Sequence, residues 1–150
     1  MTAPLFTARA WTTPAQLTHP TAPGPAVVQI EHSPLSRPPS GMQQANIVYE
    51  YLAEGGITRM TVIYFQPTGG QRIEPVRSAR PVTLRLQRAY QGVIFFSGAN
   101  AVVLRQIQQQ NIPALTEGTD GGIYFQRDPA RRAPHNLTTT GERLAQGLST

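Results

Sequence analysis

Residues 72–110 read RIEPVRSARPVTLRLQRAYQGVIFFSGANAVVLRQIQQQ, and the fold class follows from this run. Pro81 suits the first position of a helix, where its missing N–H is not needed. Val82, Leu86 and Ala89 then give that helix an apolar stripe, and Gly92 ends it. Val93–Phe96 is a continuous apolar run of the kind buried on both faces of a sheet. The small residues Ser97-Gly98-Ala99-Asn100 lead into a second helix, carried by Ala101, Leu104 and Ile107 as far as Gln110. Before all of this, Arg72–Val76 reads as a short strand. Strand, helix, strand and helix in succession predict an α/β (α+β mixed) domain, layered around a mixed β-sheet.

Working outward, Ile57–Phe65 (ITRMTVIYF) reads as a strand. Residues 42–54 carry two periods at once. Met42, Ala45, Tyr49 and Leu52 fall at helical spacing, whereas Ile47–Leu52 (IVYEYL) is β-branched and aromatic, and Gly55-Gly56 signals a hairpin. Helix and strand both stay open there; the favoured reading is a turn of helix capped by Ser40 and Gln43, followed by a β-hairpin. Ala26–Glu31 (AVVQIE) is a further short strand. Ile112–Thr116 and Gly122–Gln126 read as strands around a glycine-rich turn. Thr139 and Glu142 match a capping box opening a last helix with Leu144 and Leu148 inward, which makes about three helices. Residues 1–25 hold Pro4, Pro14, Pro20, Pro23 and Pro25 and read as an extended arm, which Phe6 and Trp11 could pin to a body formed by residues 26–150.

All thirteen cations are Arg, and the formal net charge is +5. Guanidinium cannot act as a neutral base, but it offers a rigid fork to carboxylate or phosphate. The Arg are scattered and no aromatic is interleaved with them in a binding module, so nucleic acid is not expected as a partner. Without Cys there are no disulfides, thiolate metal sites or cysteine nucleophiles. His19, His32 and His135 are too dispersed to predict a metal site, and no cofactor motif is present. No apolar run reaches the length of a membrane span, and residues 1–25 lack the pattern of a secretory signal. The chain is therefore expected either to be cytoplasmic or to have its targeting segment outside this sequence.

Three segments put polar residues where a packed domain does not need them. In Glu50…Glu54-Gly55-Gly56-Ile57-Thr58-Arg59, the two carboxylates would share a strand face, as an acid pair or as a clamp for Arg59; the plainer reading is a surface Glu54–Arg59 pair. Arg77-Ser78-Ala79-Arg80 lies at a strand-to-helix junction, where free N–H groups and a positive dipole end add to two guanidiniums. Against this stands a bracing use, with Arg77 and Arg80 pairing Glu50, Glu54 or Asp128. Arg127 to Asn136 packs Arg127, Arg131, Arg132, Asp128, His135 and Asn136 into one loop; His135 is a candidate acid–base group, and the structural alternative is an Asp128–Arg pair with His135 hydrogen-bonded to backbone.

Five segments in order carry a family resemblance: ArgProProSerGly (37–41), AlaAsnIleValTyrGlu (45–50), GluGlyGlyIleThrArg (54–59), ProValArgSerAlaArgPro (75–81) and AlaProHisAsnLeu (133–137). Together they resemble the N-terminal domain of the YerB-like bacterial lipoprotein family, a domain of unknown function. The resemblance implies an extracytoplasmic, membrane-associated α/β domain behind a lipoprotein signal and followed by a second, C-terminal domain. Two positions depart from the family pattern, at Glu31-His32 and at Phe96-Ser97-Gly98.

The expectation for function is a bacterial envelope module that binds an anionic small molecule or envelope precursor. Its ligand-binding set is Glu50, Glu54, Arg59, Arg77, Ser78, Arg80, Arg127, Arg132, His135 and Asn136. The alternatives are an enzyme acting on a phosphorylated envelope precursor, with Glu54 or His135 as base, and a structural or protein-interaction domain in which every Arg is a brace.

Overall fold

The computed structural model describes residues 24–120 and 122–150. Strand β1 (Ala26–Glu31) is followed by β2 (Ile47–Leu52), β3 (Thr58–Tyr64) and β4 (Arg72–Ile73). Helix α1 (Pro81–Tyr90), β5 (Val93–Phe96), α2 (Ala101–Gln109) and β6 (Ala114–Thr116) come next. Strands β7 (Gln126–Arg127) and β8 (Leu137–Thr140) and helix α3 (Gly141–Leu148) complete the chain. The main sheet runs β2-β3-β1-β5-β6, antiparallel on the hairpin side and parallel from β1 through β5 to β6. A smaller antiparallel sheet runs β4-β8-β7. The expected α/β fold, with its mixed sheet, hairpin and three helices, is what the described residues form.

All six residues of β1 are buried because helices cover both faces of the sheet. On one face Val28, Ile30, Met60, Val62 and Tyr64 pack with Phe95, Phe125, Leu137 and the α3 residue Leu144. On the other, Ile94 and Phe96 meet Leu84 of α1 and Val103 of α2. Each such side chain contributes about 1.5–3 kcal/mol on leaving water. This second face also holds a buried polar group. The Gln29 carbonyl accepts from Tyr51 (2.9 Å), Thr61 (3.1 Å) and Thr83, and the Gln29 amide donates to the Met60 carbonyl at 2.7 Å. Thr83 lies on α1, so the helix is pinned to the sheet by hydrogen bonds as well as by Leu84.

Some local expectations hold and others are corrected. The ambiguous stretch resolves into a 3-10 turn at Met42–Gln44 and then strand β2. The turn is entered through Gly41 in the left-handed region (φ 90°), and Ser40 makes no capping bond. The hairpin connection is longer than two residues, since Gly55 and Gly56 sit inside a second 3-10 turn. Strand β4 stops at Ile73, before Pro75, which has no N–H to give. The expected strand over Gly122–Gln126 shrinks to β7 because the Asp120 carboxylate takes the N–H groups of Gly122, Tyr124 and Phe125, each at 2.9 Å. Thr140, not Thr139, caps α3 through its hydroxyl, because Leu137–Thr140 is itself a strand. Helix α1 starts at Pro81 as expected, with the Arg80 N–H donating to the Thr83 hydroxyl at 3.0 Å. It ends on Gln91 in the left-handed region, and Gly92 is required beyond it because a Cβ there would lie 2.3 Å from the Pro25 carbonyl. Of the proline-rich arm, residues 1–23, with Phe6, Trp11 and His19, lie outside the described residues.

Candidate functional site

Register builds the site. In the antiparallel pairing Tyr51 of β2 lies opposite Arg59 of β3, which lies opposite Glu31 of β1. Directly opposed residues share a face, so these three form one row across the sheet. The row ends at the carboxyl edge of β1, beside the equivalent edge of β5. Ligands of open α/β sheets commonly bind at such edges, where the strand order reverses. The segment after β4 crosses this edge: the Arg77 N–H donates to the Gln29 carbonyl, and the Ser97 N–H donates to the Arg77 carbonyl, both at 2.9 Å. That crossing delivers Arg77 and Arg80 to the row.

Glu31 is the hub. It is buried, and its Oε2 lies 2.8 Å from His135 Nδ1 and 3.1 Å from Arg77 Nε. The Arg77 contact is a charge pair and not a hydrogen bond, since Nε lacks a well-aligned acceptor. Ser33 donates its hydroxyl to Oε1 at 3.0 Å. Arg80 is held as a brace. Its Nε and Nη2 donate to Glu54 Oε2 at 3.0 and 2.8 Å, and its Nη1 reaches the carbonyls of Ser78 and Ala79. The Arg80 hydrogen bond is the main reason the Glu54 carboxyl sits below its ordinary range.

Arg59 differs from the other two. It is half-buried, and its Nε and Nη1 are shielded from solvent without an acceptor among the described residues. Burial is the first cause pulling its pKa down, and Arg80 and Arg77 add to this while Glu31 and Glu54 oppose it. Three guanidiniums therefore face two carboxylates, and the least satisfied cation is the most central in the row.

The remaining expected residues separate from this cluster or join it indirectly. Glu50 and Glu54 do not form an acid pair, because Glu54 lies in the turn beyond the strand end. Glu50 accepts from Thr58 (2.6 Å) and from His32 (2.8 Å), and these bonds hold its carboxyl low. The plain Glu54–Arg59 surface pair is likewise replaced by Glu54–Arg80. The Ser78 side chain makes no hydrogen bond among the described residues, and its carbonyl serves Arg80. Arg127 donates to both Glu117 oxygens at 2.7 Å and to Asn136 at 2.7 Å, and Ser97 also donates to Glu117. This second group borders the first through Ser97 and His135. Arg132 is exposed, and among the described residues its side chain has no partner. Its neighbour Arg131 does the bracing, reaching Glu74 at 3.3 Å and the carbonyls of Ser36 and Pro38. Asp128 pairs with Arg72.

The sequence reading missed Glu31, Ser33, Tyr51 and Glu117 as members. Period-two spacing held a signal for Glu31: Gln29 and Glu31 put polar groups on one face of an otherwise apolar strand. A groove of about 510 Å³ opens beside the row, lined by Tyr51, Leu52, Ala53, Glu54, Arg80, Pro81 and Val82. A separate hollow of about 400 Å³, lined by residues including Asp120, Arg127 and Arg143, lies on the side of the small sheet. Among the described residues no three acidic or imidazole groups converge as a metal site would need. No described helix is long and apolar enough to cross a membrane.

Comparison with known proteins agrees with the resemblance read from the five segments. The chain is similar to the candidate lipoprotein YerB of Bacillus subtilis (strain 168), with 32% identity over 116 residues, covering 77% of this chain and 35% of that protein. The crystal structure of YerB protein from Bacillus subtilis superposes with a TM-score of 0.74 at 29% identity, over 88% of this chain and 46% of that one. The chain thus spans less than half the length of the relatives it matches. Residues 12–150 match the model of the N-terminal domain of a protein family of unknown function, DUF3048, and the chain belongs to that family.

Proposed function

We propose that this is a binding domain for a phosphate- or carboxylate-bearing ligand, recognised by Arg59 with Arg77 and Arg80 beside it. Glu31 and Glu54 hold the outer two guanidiniums in place. The observation that carries this reading is Arg59, a half-buried cation whose Nε and Nη1 lack an acceptor among the described residues. A brace would have its donors met, as those of Arg80 are; an unmet buried donor costs about 1–3 kcal/mol. An anion arriving between Arg59 and Arg77 would supply the missing acceptors and balance the extra charge. Because the relative's name carries the word lipoprotein, the ligand is proposed to belong to the cell envelope.

The test is calorimetric titration with inorganic pyrophosphate and with citrate. Arg59→Gln is expected to weaken binding at least about tenfold, in keeping with loss of a charged hydrogen bond. Arg59→Lys should fail as well, since it keeps the charge without the fork. Arg132→Gln should bind as the native chain does. Equal affinity in native and Arg59→Gln protein would dispose of the reading.

A second reading is favoured by His135. With Nδ1 engaged by Glu31, its Nε2 has no partner among the described residues and is left to accept or deliver a proton. Glu54 is poorly suited to act as a base, because Arg80 holds it ionised and occupied. Turnover of a phosphate ester that disappears in His135→Gln while pyrophosphate binding survives would establish this enzymatic variant.

A further inference from the structure

We infer that the ligand is an amphiphile, whose anionic head meets the arginine row while an apolar chain lies in the adjoining groove. This rests on the anion reading above and extends it to a ligand class. The groove and the row meet at Tyr51. Tyr51 is the direct cross-strand neighbour of Arg59, and Glu54 and Arg80 line the groove at its charged end. The other walls are Leu52, Ala53, Pro81 and Val82. Leu52 is apolar, yet 73% exposed, at the rim of this groove. An apolar trough that ends at Arg80, next to a cluster with three guanidiniums to two carboxylates, matches a molecule with the same two-part character, and it matches a free inorganic anion poorly.

The volume agrees. About 510 Å³ falls within the range of small-molecule sites and exceeds what a phosphate group alone would fill. The site's polar end is also set by α1, whose first residue Pro81 lines the groove, so the positive end of the helix dipole faces the same place as Arg80.

The experiment compares inorganic phosphate, butyl phosphate and octyl phosphate, the last below its micelle concentration, by titration against the whole chain. Octyl phosphate is expected to bind at least about tenfold more tightly than butyl phosphate, since even partial burial of added methylenes is worth a factor of about two each. Leu52→Gln, neutral and at a position too exposed to threaten folding, should abolish that chain-length gain and leave the affinity for inorganic phosphate unchanged. Arg59→Gln should weaken all three ligands. Cosedimentation with phosphatidylglycerol vesicles, lost in Leu52→Gln, would assign the amphiphile to a bilayer; binding of the monomers alone would assign it to a free molecule. Equal affinity for the three phosphates would overturn the amphiphile while leaving the anion reading intact. Absence of binding by any of them would overturn both.

Discussion

Replacing Arg59 by Met should make the unliganded protein more stable. Met fills much of the volume of the Arg stem and brings no donors. The guanidinium it removes has two buried nitrogens, Nε and Nη1, without an acceptor among the described residues, and each unmet donor costs about 1–3 kcal/mol. What the native chain loses is the attraction between Arg59 and Glu31, and Glu31 retains Arg77, His135 and Ser33. The balance favours the variant by about 1–3 kcal/mol. A domain of roughly 125 residues unfolds with an entropy near 0.26 kcal/mol per kelvin, so the expected rise in Tm is about 4–12 °C. Thermal unfolding followed by circular dichroism, without added anion, measures it. Pyrophosphate at a hundred times its Kd should then raise the stability of the native chain by about 2.7 kcal/mol and leave Arg59→Met where it was. A Tm for Arg59→Met at or below the native value would refute the reasoning, because it would make Arg59 a brace like Arg80.

Glu31→Gln is expected to act in the opposite direction, lowering stability by about 3–5 kcal/mol in urea unfolding, because it strands Arg77 and Arg59 without their shared buried counter-charge. The Glu54 carboxyl lies below its ordinary pKa when folded, so the stability it contributes is complete above that ordinary value and is lost as pH falls through the lowered one. Arg80→Met should return the Glu54 titration, followed by carboxyl carbon NMR, towards the ordinary range. Gly147→Ala should cost about 1–3 kcal/mol in the same urea assay, since its Cβ would come within 2.7 Å of Leu115 and Phe95 in the core beneath α3.

Elements specified by local chemistry were legible in the sequence. Pro81 announced α1, the apolar run at Val93–Phe96 announced a buried strand, and Ile57–Phe65 announced the inner strand of the hairpin. The site was legible in part: Arg59, Arg77, Arg80 and His135 were picked out, but the carboxylate that gathers them was not. Glu31 looked like the end of a strand followed by a departure from the family pattern, because its partners come from residues 77 and 135, far along the chain. Strand β8 was hidden for a related reason. Leu137-Thr138-Thr139-Thr140 read as a cap and its approach, and it becomes a strand through pairing with β4 and β7. The contraction of the strand expected at Gly122–Gln126 depended on Asp120 collecting three backbone donors, which no spacing rule announces.

The position of β1 has a consequence for how the domain assembles. The hairpin of β2 and β3 closes over a short span, but β1 waits for β3 on one side and for β5, some sixty residues later, on the other. Such distant pairing puts the central strand late in folding. The site draws Tyr51 and Arg59 from the hairpin, Glu31 from β1 and Arg77 and Arg80 from the crossing segment, so it exists once that slow closure is complete. Ligand bound there would report on, and hold together, the whole cooperative unit and not one loop. Opening the sheet at β1 would abolish the site along with the fold, since a two-stranded hairpin left on its own is at best marginally stable in water.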